Sequence, residues 1–346
     1  MKPKALILTN GILLTPNAKT AHGLIRGTDR FDIAGVVDPE CAGQDAGTLL
    51  DGQHRHIPVI DTLENALLAV PDASHLIVGV ATVGGVFPGN MLEVIETGIR
   101  HRLSIVNGLH DYLSDRPYLA ELASEYDVSL IDIRKPKKRE DLHFWTGEIY
   151  QVKCPIVAVL GMDCAMGKRT TARMLKQACE AAGMKAQMIY TGQTGWLQGG
   201  EYGFIFDSTL NDFVSGELEH AIVSCWNDTQ PDVIFLEGQS ALRNPSGPCG
   251  LEFLISGNAR NVVLLHAPKR KYYDHDPHWG EIPSVESEID IYQKFGAQVI
   301  ALALHTEDCT AEEAYDFQKA YQQQLGIPVL LPLQEGVGEL VEAFRR

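Results

Sequence analysis

Residues 156–182 constrain this chain more than any other stretch. Ile156–Leu160 is a short apolar run, Gly161 and Gly167 bound a turn, and a helical pattern runs from about Thr170 to Ala182. Within that pattern Thr171, Leu175, Ala178 and Ala182 share a face, and Gly183 stops it. A strand that passes through such a turn into a helix aims successive backbone N–H groups and a helix N-terminus at one point. An anion binds there. The loop reads Gly161-Met162-Asp163-Cys164-Ala165-Met166-Gly167-Lys168-Arg169-Thr170-Thr171. Lys168 adds a mobile positive charge, and Gly167 lets backbone come close to a phosphate. Gly161, Asp163, Cys164, Ala165, Met166, Gly167, Lys168, Arg169, Thr170 and Thr171 are therefore the expected phosphate-binding residues. The competing reading is a strand-to-helix turn with an incidental lysine, and the flanking pattern favours the phosphate.

The loop departs from the standard form in two ways. Five residues separate Gly161 from Gly167, and Arg169 stands where a magnesium-ligating Ser or Thr is expected. Thr170 takes that role only if the helix entry shifts by one residue. Two cations without the usual metal ligand favour holding a pyrophosphate over cleaving a magnesium nucleotide, so no resident metal is expected.

Strand and helix signals alternate along the rest of the chain. Strands are expected at 5–9, 33–37, 57–60, 76–80, 104–106 and 129–133, with helices at 62–69, 90–101 and 117–126. After the loop come strands at 186–190, 233–236, 262–266, 299–304 and 329–331, and helices at 212–226, 285–295, 311–324 and 336–344. This predicts an α/β protein of two domains, each with a parallel sheet covered on both faces. The boundaries read as a first domain over 1–134, a linker over 135–153 and a phosphate-loop domain over 154–346. Arg134–Arg139, RKPKKR, is the one dense basic run; it is either a solvated connector or a cationic arm for ligand phosphates.

Other candidate residues also lie at strand ends, where open α/β sheets bind ligands. Glu237 ends an apolar strand and could serve as a base or hold a metal through water; its alternative is a turn cap. His266 ends another strand and is the second candidate base. Lys269, Arg270 and Lys271 follow it and are expected to hold the carboxylates of an acidic substrate. His275 and His278 have a metal-like spacing but no third ligand. Thr191–Trp196, TGQTGW, is expected to form a loop beside the phosphate, and Asp212 is either a helix N-cap or a site residue. In the first domain no G-x-G-x-x-G follows the first strand. Asp38 nevertheless sits where dinucleotide folds place a ribose-binding acid, and Gly79–Gly85 lies past another strand end.

Charge and cysteines exclude further classes. Lys plus Arg number 29 against 45 Asp plus Glu, a net charge of −16. No cationic surplus exists for a nucleic acid or an anionic membrane. Seven scattered cysteines without a C-x-x-C pair argue against a disulfide framework and fit a reducing cytoplasm. The N-terminal apolar run is broken by Asn10 and Gly11 and reads as a strand, not a signal peptide. A small acidic molecule is the expected partner, and a homo-oligomer is compatible with everything above.

Four separated segments, GMDCAMGKRTT, DIRKP at Asp132–Pro136, TGQTGW and LEGQS at Leu236–Ser240, together resemble the DUF1611 family over nearly the whole chain. The resemblance implies an N-terminal Rossmann-like domain joined to a C-terminal P-loop NTPase-like domain. The second domain is also similar to dethiobiotin synthetase, whose loop likewise has five residues between its glycines; Arg169 stands where that enzyme has threonine. Some members of the family are D-glutamate N-acetyltransferases that use acetyl-CoA. The resemblance thus implies acetyl-CoA as cosubstrate; its phosphates are expected on the loop, and Glu237 and His266 are the candidate bases. The competing expectations are a magnesium- and ATP-dependent ligase or kinase, with the metal near Thr170 and Glu237, and a nucleotide-binding protein without turnover.

Overall fold

The structure is a computed structural model and describes residues 2–345; Met1 and Arg346 lie outside it. It divides into two compact units. Unit 1 holds residues up to Pro136 together with Gln193–Gly200, and unit 2 holds Lys137–Gly192 and Glu201 onward.

Unit 1 contains strands β1 (Lys4–Leu8), β2 (Asp32–Val37), β3 (Val59–Ile60), β4 (His75–Val78), β5 (Ser104–Asn107) and β6 (Leu130–Asp132). Its helices are α1 (Lys19–Arg26), α2 (Ala46–Asp51), α3 (Leu63–Ala69), α4 (Met91–Arg100) and α5 (Pro117–Glu125). The strands lie parallel in the order β3-β2-β1-β4-β5-β6, a doubly wound sheet whose order reverses between β1 and β4. Alternate β1 residues serve opposite cores. Leu6 and Leu8 pack with α3, α4 and α5, while Ala5 and Ile7 pack with α1 and α2. Two helices cannot cover the second face across all six strands. Leu197 and Trp196, from the stretch that returns to this unit, join that core with Ile77, Val106 and Ile131.

The returning stretch forms helix α7 (Gln193–Leu197), where the sequence suggests only a loop. It lies along α1. Gln198 Nε2 donates to the Gly23 and Gly27 carbonyls, and Thr28 Oγ1 donates to the Leu197 carbonyl. Arg30 donates to the carbonyls of Trp196 and Gly200 and sits 4.1 Å over the Trp196 ring.

Unit 2 contains β7 (Ile156–Gly161), β8 (Ala186–Ile189), β9 (Val233–Glu237), β10 (Asn261–His266), β11 (Gln298–Leu304) and β12 (Val329–Leu330). They are parallel, in the order β12-β11-β10-β7-β9-β8. Its helices are α6 (Lys168–Ala181), α8 (Asn211–Thr229), α9 (Leu251–Ile255), α10 (Val285–Lys294) and α11 (Ala311–Leu325). Every β7 residue is buried, as expected of a central parallel strand. Helix α6 starts two residues earlier than the sequence pattern suggests. It buries Thr171, Ala172, Leu175 and Cys179, whereas Ala182 is exposed. The C-terminal pattern at 336–344 forms 3-10 turns over Gly338–Phe344.

The segment expected to be a linker is docked. Glu217 and Glu219 on α8 are buried, and their carboxylates accept bonds from it. Glu217 takes Lys137 Nζ and the His143 backbone N–H, while Glu219 takes the backbone N–H groups of Thr146, Gly147 and Ile149. Two cations of the basic run pair with protein acids, Lys135 with Asp115 and Lys137 with Glu217, while Lys138 and Arg139 are exposed. Asp212 is exposed in the first turn of α8 and is not its cap. No helix among the described residues is long and apolar enough to cross a membrane.

Candidate functional site

The best-built site lies where β7 meets α6. Gly167 precedes the helix with φ +86°, a conformation that costs any other residue a left-handed backbone. Lys168 opens the helix, and only 7% of it is exposed. Its ammonium donates to the carbonyls of Asp163 and Ser240, each at 2.7 Å. Gly161 makes room for it: a Cβ there would stand 3.3 Å from the lysine stem. Burial pulls the Lys168 ammonium below its ordinary range, although Cys164 and Asp163 oppose that shift. Met166 packs in the core, Thr171 is buried on α6, and Arg169 and Thr170 lie half-buried on the first turn. Cys164 is half-buried with Sγ 3.6 Å from Ser240 Oγ, and burial pushes its thiol up.

The loop is held from the side by a buried polar network. Asp163 is fully buried, and its carboxylate accepts from Arg270, Asn244 Nδ2 and the Asp274 backbone N–H, each at 2.8 Å. Ala165, Ser240, Asp274 and His275 all have left-handed φ between +37° and +63°. Each such residue costs of order 1–3 kcal/mol and persists only where its surroundings over-determine it. Four of the unit's seven non-glycine residues with left-handed φ, among those described, lie in the segments that meet around Asp163.

Glu237 ends β9, paired in register with Val159 of β7. It is buried, with Oε2 accepting the Thr191 N–H at 3.1 Å and its own carbonyl accepting Thr191 Oγ1 at 2.7 Å. Burial raises its pKa; the nearby Arg169 charge, the Thr191 N–H, the Lys168 charge and the Gly192 N–H pull the other way. The result is a carboxylate with more proton affinity than usual beside a cationic loop, which is the condition for a general base. Gln239 Nε2 donates to Thr191 Oγ1, so the first two residues of TGQTGW do line this site.

Of His266 and the three cations after it, Arg270 bonds the phosphate loop, and the others bond different partners. His266 Nε2 faces the Tyr321 hydroxyl at 3.0 Å on α11, while its Nδ1 is buried without a hydrogen-bond partner among the described residues. Burial and the Arg270 charge lower its pKa to about 4, so the ring is neutral. Lys269 pairs with Glu313, and exposed Lys271 pairs with Glu281. Arg270 turns inward to Asp163 and Glu307. The expected carboxylate-binding trio therefore diverges in three directions. His275 stands 3.7 Å from Glu307 and His278 bonds Asp276, so this pair does not converge on a metal. Asp163, Cys164 and Asp274 bring ligand atoms within 4.8 Å of one another, but both Asp163 oxygens are already engaged by Arg270 and Asn244.

In unit 1 the corresponding strand-end acid is spent on structure. Asp38 is fully buried; Oδ2 accepts Thr9 Oγ1 and the N–H groups of Gly11 and Leu13, and Oδ1 accepts the Glu40 N–H. The loop after β4 is also tied down: the Gly79 carbonyl accepts the Ala21 N–H, and Ala81 donates to Asn17.

A family description for a P-loop domain of unknown function, DUF1611_C, matches residues 143–341, and one for a Rossmann-like domain, DUF1611_N, matches residues 39–136. The chain belongs to the DUF1611 family. A crystal structure of a DUF1611 family protein from Anabaena variabilis superposes with a TM-score of 0.90 at 26% identity, covering 99% of both chains. Two relatives are named D-glutamate N-acetyltransferase. The one from a Pseudoalteromonas species is 29% identical over 276 residues, 78% of this chain and 80% of its own. The one from Tritonibacter scottomollicae is 28% identical over 290 residues, 82% and 84% of the two chains. Sequence reasoning missed the roles of Ser240, the last residue of LEGQS, and of Asn244 four residues beyond it; the backbone conformation at Ser240 leaves no mark in a single sequence.

Proposed function

We propose that this protein is an acetyl-CoA-dependent N-acetyltransferase acting on D-glutamate or a similar acidic amino acid, with the phosphate loop holding the CoA phosphates. The observation that carries the reading is the kinship with two proteins of that name over about four-fifths of the chain. The site is compatible with it. Lys168 and the start of α6 offer a preformed anion cradle without relying on a hydroxyl directly after the lysine. Acetyl-CoA supplies the thioester. Glu237 takes the proton from the substrate ammonium; burial raises its pKa and with it its affinity for a proton. The freed amine attacks the thioester carbonyl, forming the C–N bond. Collapse breaks the C–S bond and releases CoA, whose thiolate takes up a proton.

The test is free-thiol release from acetyl-CoA across D- and L-amino acids, repeated after exhaustive chelation. Release with D-glutamate that survives chelation supports the reading. No release with any acidic amino acid overturns it. Activity that needs Mg-ATP moves the site to the ligase or kinase class, and nucleotide binding without turnover leaves a binding protein.

A further inference from the structure

The sequence presents Lys269-Arg270-Lys271 as three equivalent cations, yet only the middle one is buried. Side-chain exposure is 3% for Arg270, against 33% for Lys269 and 61% for Lys271. Its guanidinium forks onto Glu307 through Nε at 2.5 Å and a terminal nitrogen at 2.6 Å. The other terminal nitrogen donates to Asp163 Oδ2 at 2.8 Å and to the Cys164 carbonyl at 2.7 Å. One nitrogen thus fixes two consecutive residues of the phosphate loop, directly before left-handed Ala165. The Asp163 carbonyl is one of the two that receive the Lys168 ammonium. Asn244 completes the anchor: it is fully buried, gives Nδ2 to Asp163 Oδ1, and has its own oxygen occupied by Ser246. A guanidinium used this way has no donor fork left for a substrate carboxylate.

We propose that Arg270 is a positioning residue of the phosphate loop. It acts through Asp163 and the Cys164 carbonyl to hold the backbone that seats Lys168, and it does not contact the amino-acid substrate. The consequence for acetyl-CoA rests on the acetyltransferase reading; the consequence for Lys168 does not.

Two measurements separate these. The first is mass-spectrometric labelling of lysines with a limiting acetylating reagent on folded Arg270→Met, Arg270→Lys and Asn244→Ala, with wild type alongside. Lys168 should label about tenfold faster in Arg270→Met, the order expected for losing one charge-assisted hydrogen bond, and more modestly faster in Asn244→Ala. The other lysines outside this turn should keep their rates, and Arg270→Lys should move Lys168 part of the way back. Arg270→Met takes the guanidinium from fully buried Asp163 and half-buried Glu307 and is the variant at risk of not folding. Asn244→Ala removes only a neutral group and carries the test in that event. The second measurement is steady-state kinetics: the KM for acetyl-CoA should rise about tenfold and the amino-acid KM should hold within about twofold. Unchanged Lys168 labelling in a folded variant overturns the proposal. So does a rise confined to the amino-acid KM, which would return Arg270 to the substrate. A wild type without acetyltransferase turnover would sink the functional reading while the labelling result still decides this one.

Discussion

Asp38 and Glu237 end strands of two parallel sheets, beside the strand at or next to the point where strand order turns, and they have opposite fates. Asp38 receives four hydrogen bonds, three of them from backbone N–H groups of the loops around it. It is consumed in shaping the turn after β1 and has nothing left for a ribose. Glu237 is as deeply placed but more thinly compensated, and burial leaves it reluctant to ionise. Two sheets of one architecture therefore teach that a carboxylate at a strand end is not a site by position alone. Its hydrogen-bond satisfaction decides whether it builds the fold or waits for a proton.

The sharpest way to break this contrast is Glu237→Gln. Turnover should fall by about 10²–10⁴, the usual worth of a general base. Because burial disfavours the charged form, the variant should lose no thermal stability, and its advantage should grow as pH rises: a carboxyl whose folded pKa is raised stabilises the fold at low pH and loses that contribution as pH climbs through the folded value. Thermal midpoints followed upward from pH 4.5, with thiol release on the same samples, check both halves. Near-normal turnover would hand the base role elsewhere.

Asp38→Ala should do the reverse. Removing it strands several buried donors, at about 1–3 kcal/mol for an unsatisfied group and more for a network. Urea unfolding should show the loss, while turnover per folded molecule holds. A smaller effect is expected at His266. Its folded pKa of about 4 lies below the ordinary 6.5, so it favours the fold above pH 6.5 and loses that contribution as pH falls from there toward 4. His266→Gln should flatten the stability slope between pH 6.5 and 5, and acetyl transfer should survive it. An unchanged slope with lost turnover would restore His266 as a catalytic candidate.

Much of this was legible in the residues. Short apolar runs and helical spacing located most strands and long helices, and the glycine-bounded loop located the turn from β7 into α6, because these signals are local. What stayed hidden is set by distant partners. Glu217 and Glu219 look like a solvated helix face until the 137–149 segment is laid against them. Lys-Arg-Lys gives no hint that Arg270 finds its acids at Asp163 and Glu307. Gly-rich GQTGWLQGG carries no helical period, so its place in the first unit's core was invisible.

That last segment bears on how the protein is made. The Rossmann-like unit draws Leu197 and Trp196 from chain that follows β8. As the polypeptide emerges, the first six strands can pair, but one sheet face stays incompletely covered until much of the second unit's first half has been synthesised. Such non-local closure is slow and leaves apolar surface open to aggregation in the meantime. A fragment cut at Pro136 would be frozen at that stage: its boundary would look natural along the sequence, yet it would lack a piece of its own core.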